Sequence, residues 1–322
     1  SEMCIRDSNS RPVFYTKLEM QVKILGCGSA RPTRHHLPSA QVLTVAGHHY
    51  LIDAGEGAQH SLILAGYKIT QLEALFISHA HGDHCFGLPG LLTSMAHVGR
   101  TKPLTIVTTA EVADYIRYIE EHHIEESSYE LSVTIAPSDE VSPSIYSDPW
   151  LQVDTLPLRH RTNAIGFLCR EHCMPRRIDP VATDFYQIPH TAMHALQMGL
   201  DYVPSGGGRI IPNRELTKPG RPSRSYAYLS DTLPAWHLVE QIRGVDLLYH
   251  ESTYSEEFRD RAETYGHSTA RQAAEVARAA EVGQLLLGHY SGRYDDLSKL
   301  LSEAQEVFPN SCATQEGDLY EV

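Results

Sequence analysis

The six residues His79-Ala80-His81-Gly82-Asp83-His84 limit what this chain can fold into more than any other stretch. They hold three histidines and one carboxylate, just after the apolar run Ala74-Leu75-Phe76-Ile77, which reads as a buried strand. A strand ending in neutral nitrogen donors and an anionic oxygen has the makings of a metal site. His79 and His81 are two apart, so in extended chain both point to one side. Gly82 allows a tight turn. Asp83 and His84 then face a second point a few ångströms away. One short loop can serve two metals, but it cannot close either site by itself.

The remaining ligands must come from elsewhere in 322 residues, enough for one large domain or two modest ones with a full core. No apolar run approaches the ~18 residues of a spanning helix, so no membrane association is expected. Residues 1–19 lack an apolar signal region and read as a disordered extension, with the folded part beginning at Met20. The six cysteines form no regular framework, which suits reduced thiols in a cytoplasmic protein. His35, His36, His48, His49, His122 and His123 come in pairs and are expected to be solvated.

The net charge of −13 argues against a broad phosphate-binding surface. Its distribution points the other way. Residues 159–224 carry ten Lys/Arg and five Asp/Glu, a balance of +5 that leaves −18 on the rest. A basic segment on an acidic body suits a local polyanion contact.

In chain order, residues 20–25, 41–46 and 48–52 read as strands, 57–65 as a short helix, 88–95 and 110–121 as helices, and 105–108, 131–135 and 151–158 as strands. Further strands are expected at 225–230, 245–249 and 285–287, and helices at 233–242, 270–281 and 295–308, with a short closing strand. This alternation predicts an α/β (α+β) fold: two mixed sheets packed face to face with helices outside. Residues 170–224 show no sustained periodicity beyond a turn or two at 191–198 and are rich in Pro and Gly, so a flexible inserted arm is expected there. Asp53, beside glycines after a strand, suits a residue that orients a neighbouring ligand histidine.

The His79–His84 cluster resembles the HxHxDH signature of the metallo-β-lactamase superfamily. Phe86-Gly87-Leu88-Pro89-Gly90-Leu91-Leu92 resembles the continuation found in ribonuclease Z, the family that trims the 3′ end of precursor tRNA. Further motifs follow in the family's order: Gly26-Cys27-Gly28-Ser29-Ala30 resembles GTGSA, Leu51–Gln59 resembles LIDxGEGTQ, and Ser230-Asp231-Thr232 resembles SGDT. His250-Glu251-Ser252-Thr253 resembles HEAT, Gly266-His267-Ser268-Thr269 contains HST, and His289–Tyr294 resembles the HFSxRY part of THFSxRY. Pro32-Thr33-Arg34-His35-His36-Leu37 follows the family's PTKxRN only at its start. The nearest segment to a GIPPGP-like arm motif is Gln187-Ile188-Pro189-His190, so the arm differs from the usual bacterial one.

The resemblance covers residues 20–322 apart from the arm and 100–150, and implies a metallo-β-lactamase αβ/βα sandwich with a tRNA-binding arm at about 170–224. It implies one metal on His79, His81 and His160, a second on Asp83, His84 and His289, and Asp231 bridging them. Nitrogen and oxygen donors suit two zinc ions per subunit, with manganese or iron as alternatives. Asp83, Glu251 and His267 are implied catalytic residues, Asp83 beside the attacking water and the Glu251–His267 pair as proton donor to the leaving oxygen. Ser291, Arg293, Arg176, Arg177, Lys218 and Arg221 are candidate substrate-binding residues. The implied reaction removes the 3′ trailer after the discriminator nucleotide, leaving a 3′-hydroxyl on the tRNA and a 5′-phosphate on the trailer, in a homodimer. The ligands alone also suit a small-molecule hydrolase, such as an arylsulfatase or cyclic phosphodiesterase, and the fold also suits a non-catalytic RNA-binding protein.

Overall fold

The computed structural model describes residues 20–124, 127–172 and 175–322. The expected extension at 1–19 lies outside them. Glu171–Ser223 form a compact unit of their own, and the rest of the chain forms another.

The larger unit is built on two seven-stranded sheets. The first contains β1 (Met20–Gly26), β2 (Ala40–Val45), β3 (His48–Ile52), β4 (Leu72–Phe76), β5 (Leu104–Thr108) and β6 (Leu131–Ile135). The second begins with β7 (Ser142–Ser147), β8 (Leu151–Pro157) and β9 (Ile165–Glu171). After a small ribbon in the inserted unit, β10 (Arg177–Ile178) with β11 (Thr217–Lys218), the second sheet resumes with β12 (Ser225–Leu229), β13 (Leu247–Glu251), β14 (Gln284–Gly288) and β15 (Ser311–Ala313). The chain then returns to the first sheet, where β16 (Leu319–Glu321) pairs antiparallel with β1.

Alternation along the strands explains the layers. In β4 and the residue after it, Ala74 and Phe76 join the core shared by both sheets, while Leu75 and Ile77 pack beneath the helices outside the first sheet. The apolar run is continuous because both its faces are covered. Helices Ala58–Leu64, Leu88–His97 and Ala110–His123 supply the outer cover, the last through Val112, Ile116 and Ile119 at helical spacing. On the second sheet, helix Ala270–Ala279 starts with a capping box between Thr269 and Gln272.

β3 to β6 are parallel, as are β12 to β15. Parallel strands bring their C-terminal ends to one edge, where open α/β sheets collect functional loops. The two sheets are stitched together at that edge: Ile165 N donates to the Ser78 carbonyl at 3.0 Å, and His79 bridges to Ala164.

Several expectations need correction. Residues 233–242 do not form a helix. Only a 3₁₀ turn, Trp236–Leu238, is present, and Leu233 N donates to the Arg159 carbonyl at 2.8 Å. The insertion is not an irregular loop. It contains helices Pro180–Phe185, Met193–Gln197 and Asn213–Leu216 and a small core of Ile188, Leu196, Ile211 and Leu216. Those apolar residues are spaced too unevenly to show a period. β7, β9 and β15 were not expected as strands. The paired histidines are not all free in solvent: His48 stacks on Trp150 and faces Glu73 at 2.8 Å, and His36 is held by Glu316 at 3.0 Å.

Candidate metal centre

His79 and His81 follow β4, and Asp83 and His84 lie on a single helical turn, Gly82–Cys85. A Cβ on Gly82 would lie 2.3 Å from the ring of Phe86, an exposed side chain, so the glycine lets that ring fold over the turn. Gly55 is likewise pressed against the Asp83 carbonyl, 2.3 Å from where its Cβ would stand. His160 follows β8, Asp231 follows β12 and His289 follows β14.

All seven side chains converge, in two groups: His79, His81, His160 and Asp231, then Asp83, His84 and His289. Asp231 faces both, and it also lies within reach of His267 and His289 as a third group. Its Oδ2 faces His79 Nε2 at 3.5 Å, His160 Nε2 at 3.6 Å and His81 Nδ1 at 4.0 Å. Its Oδ1 faces His84 Nε2 at 3.0 Å and His289 Nε2 at 2.9 Å.

The outward nitrogens of four ligand histidines are occupied, which fixes those rings. His79 Nδ1 meets Ser78 Oγ at 2.9 Å, His160 Nδ1 meets the Gly266 carbonyl at 2.9 Å, and His289 Nδ1 meets Thr253 Oγ1 at 2.8 Å. His84 Nδ1 meets Asp53 Oδ2 at 2.6 Å, and Asp53 is itself held by Ser78 N and the Tyr228 hydroxyl, both at 2.7 Å. Such outer contacts orient metal-binding imidazoles.

The electrostatics fit a divalent cation. Burial, and then His84, push His79 down to about 4, so its Nε2 offers a lone pair at neutral pH. Burial works against charge on His84 and His289 too, yet the surrounding carboxylates together, Asp231 foremost, outweigh it: His84 is raised and His289 is pushed up to about 10. A bound metal would take the place of protons held by such a negative cluster. The donors are nitrogen and oxygen only, most of them buried with His81 exposed at the rim, and they suit zinc.

Three residues at this edge leave their strands with positive φ: Asp53 at 56°, Asp231 at 57° and His289 at 57°. Asp and His tolerate this region better than most residues, and the turn lets the chain leave the strand abruptly where its side chain is needed.

Beside the ligands, Glu251 Oε1 lies 2.8 Å from His267 Nδ1 and accepts from Thr232 N at 2.9 Å. Its Oε2 accepts from Thr253 Oγ1 at 2.6 Å. Burial lowers the His267 pKa, but the Glu251 carboxylate outweighs it and the net shift is upward. Asp83 Oδ2 accepts from the Ala30 amide at 2.5 Å. His250 points elsewhere, with Nδ1 on the Glu251 carbonyl at 2.8 Å.

His81, Asp83, Asp231, His267 and His289 open onto a cleft of about 680 Å³ that Ser291 and Arg293 also line. Arg293 stacks over Phe258 and Tyr254, 4.4 and 5.1 Å from their ring centres. The structure therefore brings together the seven expected ligands, Glu251, His267, Ser291, Arg293 and Asp53. Arg176, Arg177, Lys218 and Arg221 belong to the other unit. There, Arg176 donates to Thr217 Oγ1 at 2.7 Å, Lys218 pairs with Asp179 at 3.0 Å and Arg221 pairs with Glu171. Arg177 is exposed. Sequence reasoning missed Thr253, Tyr228 and the Ala30 amide. Thr253 adjoins the Glu251 motif and was within reach, whereas Tyr228 looks like any core aromatic.

Two facing mixed sheets with a histidine and aspartate centre at one edge define a hydrolase of the metallo-β-lactamase superfamily. The metallo-β-lactamase fold protein YhfI from Bacillus subtilis superposes with a TM-score of 0.66 at 17% identity, over 94% of this chain and all (100%) of that one. The short form of human tRNase Z gives a TM-score of 0.67 at 24% identity, over 94% and 98%. A family model described as Anti-Pycsar protein Apyc1 matches residues 20–133. The ribonuclease Z of Porphyromonas gingivalis (strain W83) is 45% identical over 296 residues, 92% of this chain and 96% of that protein. The chain belongs to the ribonuclease Z family.

Proposed function

We propose that this tRNA 3′-processing endoribonuclease cuts precursor tRNA after the discriminator nucleotide, using two zinc ions per subunit, as a cytoplasmic homodimer. The observation that carries the reading is the division of Asp231 between two ligand groups, Oδ2 toward one and Oδ1 toward the other. His79, His81 and His160 would hold one ion, and Asp83, His84 and His289 the other. Bound as a pair, such ions lower the pKa of a water and stabilise charge on a phosphodiester undergoing in-line displacement.

The chain's own residues supply the rest. His267, held by Glu251, carries the proton that the departing ribose 3′ oxygen needs, and its raised pKa keeps that proton available near neutrality. Thr253 ties the same carboxylate to His289, so proton donor and ligand ring are set by one group. Arg293, stacked on two aromatic rings, and Ser291, 3.2 Å from its Nε, present donors for a backbone phosphate. Asp83, fixed by the Ala30 amide, stands where a carboxylate can accept the water's proton. The products are a 3′-hydroxyl on the tRNA and a 5′-phosphate on the trailer.

The test is cleavage-site mapping on a 3′-extended tRNA with zinc-loaded protein. One cut after the discriminator supports the reading. Intact RNA together with hydrolysis of a small diester or sulfate ester overturns it in favour of a small-molecule hydrolase. RNA binding by a chain that holds no metal points to a non-catalytic binder.

A further inference from the structure

A second group of ligand-type side chains lies apart from this centre: Cys27 after β1, His36 in the loop that follows, and Glu316 shortly before β16. Cys27 Sγ is 3.4 Å from His36 Nδ1, and the same Nδ1 is 3.0 Å from Glu316 Oε2. The Thr314 carbonyl oxygen is 3.5 Å from Sγ. Cys27 is fully buried, and the His36 and Glu316 side chains are 11% and 23% exposed.

Without a cation, the Cys27 thiol donates to the Thr314 carbonyl and the His36 ring nitrogen faces the Glu316 carboxylate. A cation between them would replace both contacts with direct bonds to the same four atoms. With zinc bonds of about 2.3 Å to sulfur and about 2.0–2.1 Å to nitrogen or oxygen, a tetrahedron has edges of about 3.5 Å from S to N or O and about 3.3 Å from N to O. Three of the six edges are observed, at 3.4, 3.5 and 3.0 Å, each within a few tenths of an ångström of those lengths. A thiolate and a carboxylate would also balance the two positive charges, as a largely buried site requires. Cys27 and His36 are both departures from the family motifs quoted above, so the pairing does not come with the catalytic design.

We propose that Cys27, His36 and Glu316 bind a structural Zn²⁺ ion, with the Thr314 carbonyl as fourth ligand. On binding, the Cys27 S–H bond breaks, its proton leaves to solvent and an S–Zn bond forms, with no change of oxidation state. The ion clamps the loop after β1 to the segment before β16. Glu316 already holds that loop through Leu37 N at 2.8 Å, and the same loop supplies the Ala30 amide that fixes Asp83. The proposal does not depend on the substrate of the cleft.

The full chain, stripped of metal and titrated with Co²⁺, tests it. A thiolate ligand gives a near-ultraviolet sulfur-to-cobalt absorption that a nitrogen and oxygen centre cannot. The expected result is that absorption in the unaltered chain, its loss in Cys27→Ser, and one Zn²⁺ fewer per chain in both Cys27→Ser and His36→Ala. His36→Ala, at the rim of the core, keeps the test open if Cys27→Ser does not fold. Absence of the band in the unaltered chain, its persistence in Cys27→Ser, or unchanged zinc content in His36→Ala overturns the proposal.

Discussion

Oδ2 of Asp53 lies 2.6 Å from Nδ1 of His84, and neither side chain is exposed to water. The carboxylate holds the ring by its far nitrogen so that Nε2 faces Asp231. Asp53→Asn keeps the shape but removes the charge that makes His84 a stronger donor. Metal affinity should fall about 10–100-fold. Calorimetric titration of the metal-free chain with Zn²⁺ measures this, and an unchanged affinity would show that Asp53 serves only the fold.

His267→Ala should lower turnover by about 10²–10⁴-fold, the usual contribution of a positioned proton donor. Metal content should stay the same, because the seven expected ligands form both groups without it. If metal is lost as well, His267 is a ligand and its assignment as donor fails.

The pH profile separates His267 from its partner. A donor acts in its protonated form, so activity is present below its pKa and lost as pH rises through it. Burial lowers that pKa and Glu251 more than restores it. In Glu251→Gln the charge is gone and burial remains, so the alkaline limb of kcat/KM should move to lower pH. A limb that stays put assigns it to another group.

Arg293→Ala should raise KM for precursor tRNA about 10-fold or more, as expected for loss of a charge-assisted phosphate contact, with a smaller change in kcat. Arg293→Lys should recover little, because an ammonium cannot stack on Phe258 and Tyr254 as the guanidinium does. Full recovery by lysine would reduce the role of Arg293 to charge alone.

Arg170 and Ser225 are paired across β9 and β12, so the ends of the inserted unit leave the sandwich side by side. Replacing Glu171–Ser223 with a short Gly-Ser turn should leave the two sheets folded and hydrolysis of a small phosphodiester intact. Cleavage of precursor tRNA should fall sharply. Equal loss on both substrates would show that the insertion supports the sandwich rather than RNA binding.

The metal loop was legible because its ligands are local. His79, His81, Asp83 and His84 declare their chemistry within six residues. His160, Asp231 and His289 were identified only through resemblance, since an isolated histidine or aspartate after a strand is ordinary. The insertion's place was legible, but its helices were missed because its core is made of scattered apolar residues that no period connects.

By itself the sequence determined that the strand before the metal loop is buried, which loop carries metal ligands and which family motifs are present. All of this rests on side-chain chemistry repeated over a few neighbouring positions. Only the tertiary structure decided that Asp231 divides its oxygens between two ligand groups, that Tyr228 reaches Asp53 across 175 positions, and that Cys27 meets Glu316 across 289. Such contacts depend on how two sheets and their edge loops come together in space, and spacing along the chain carries no record of that.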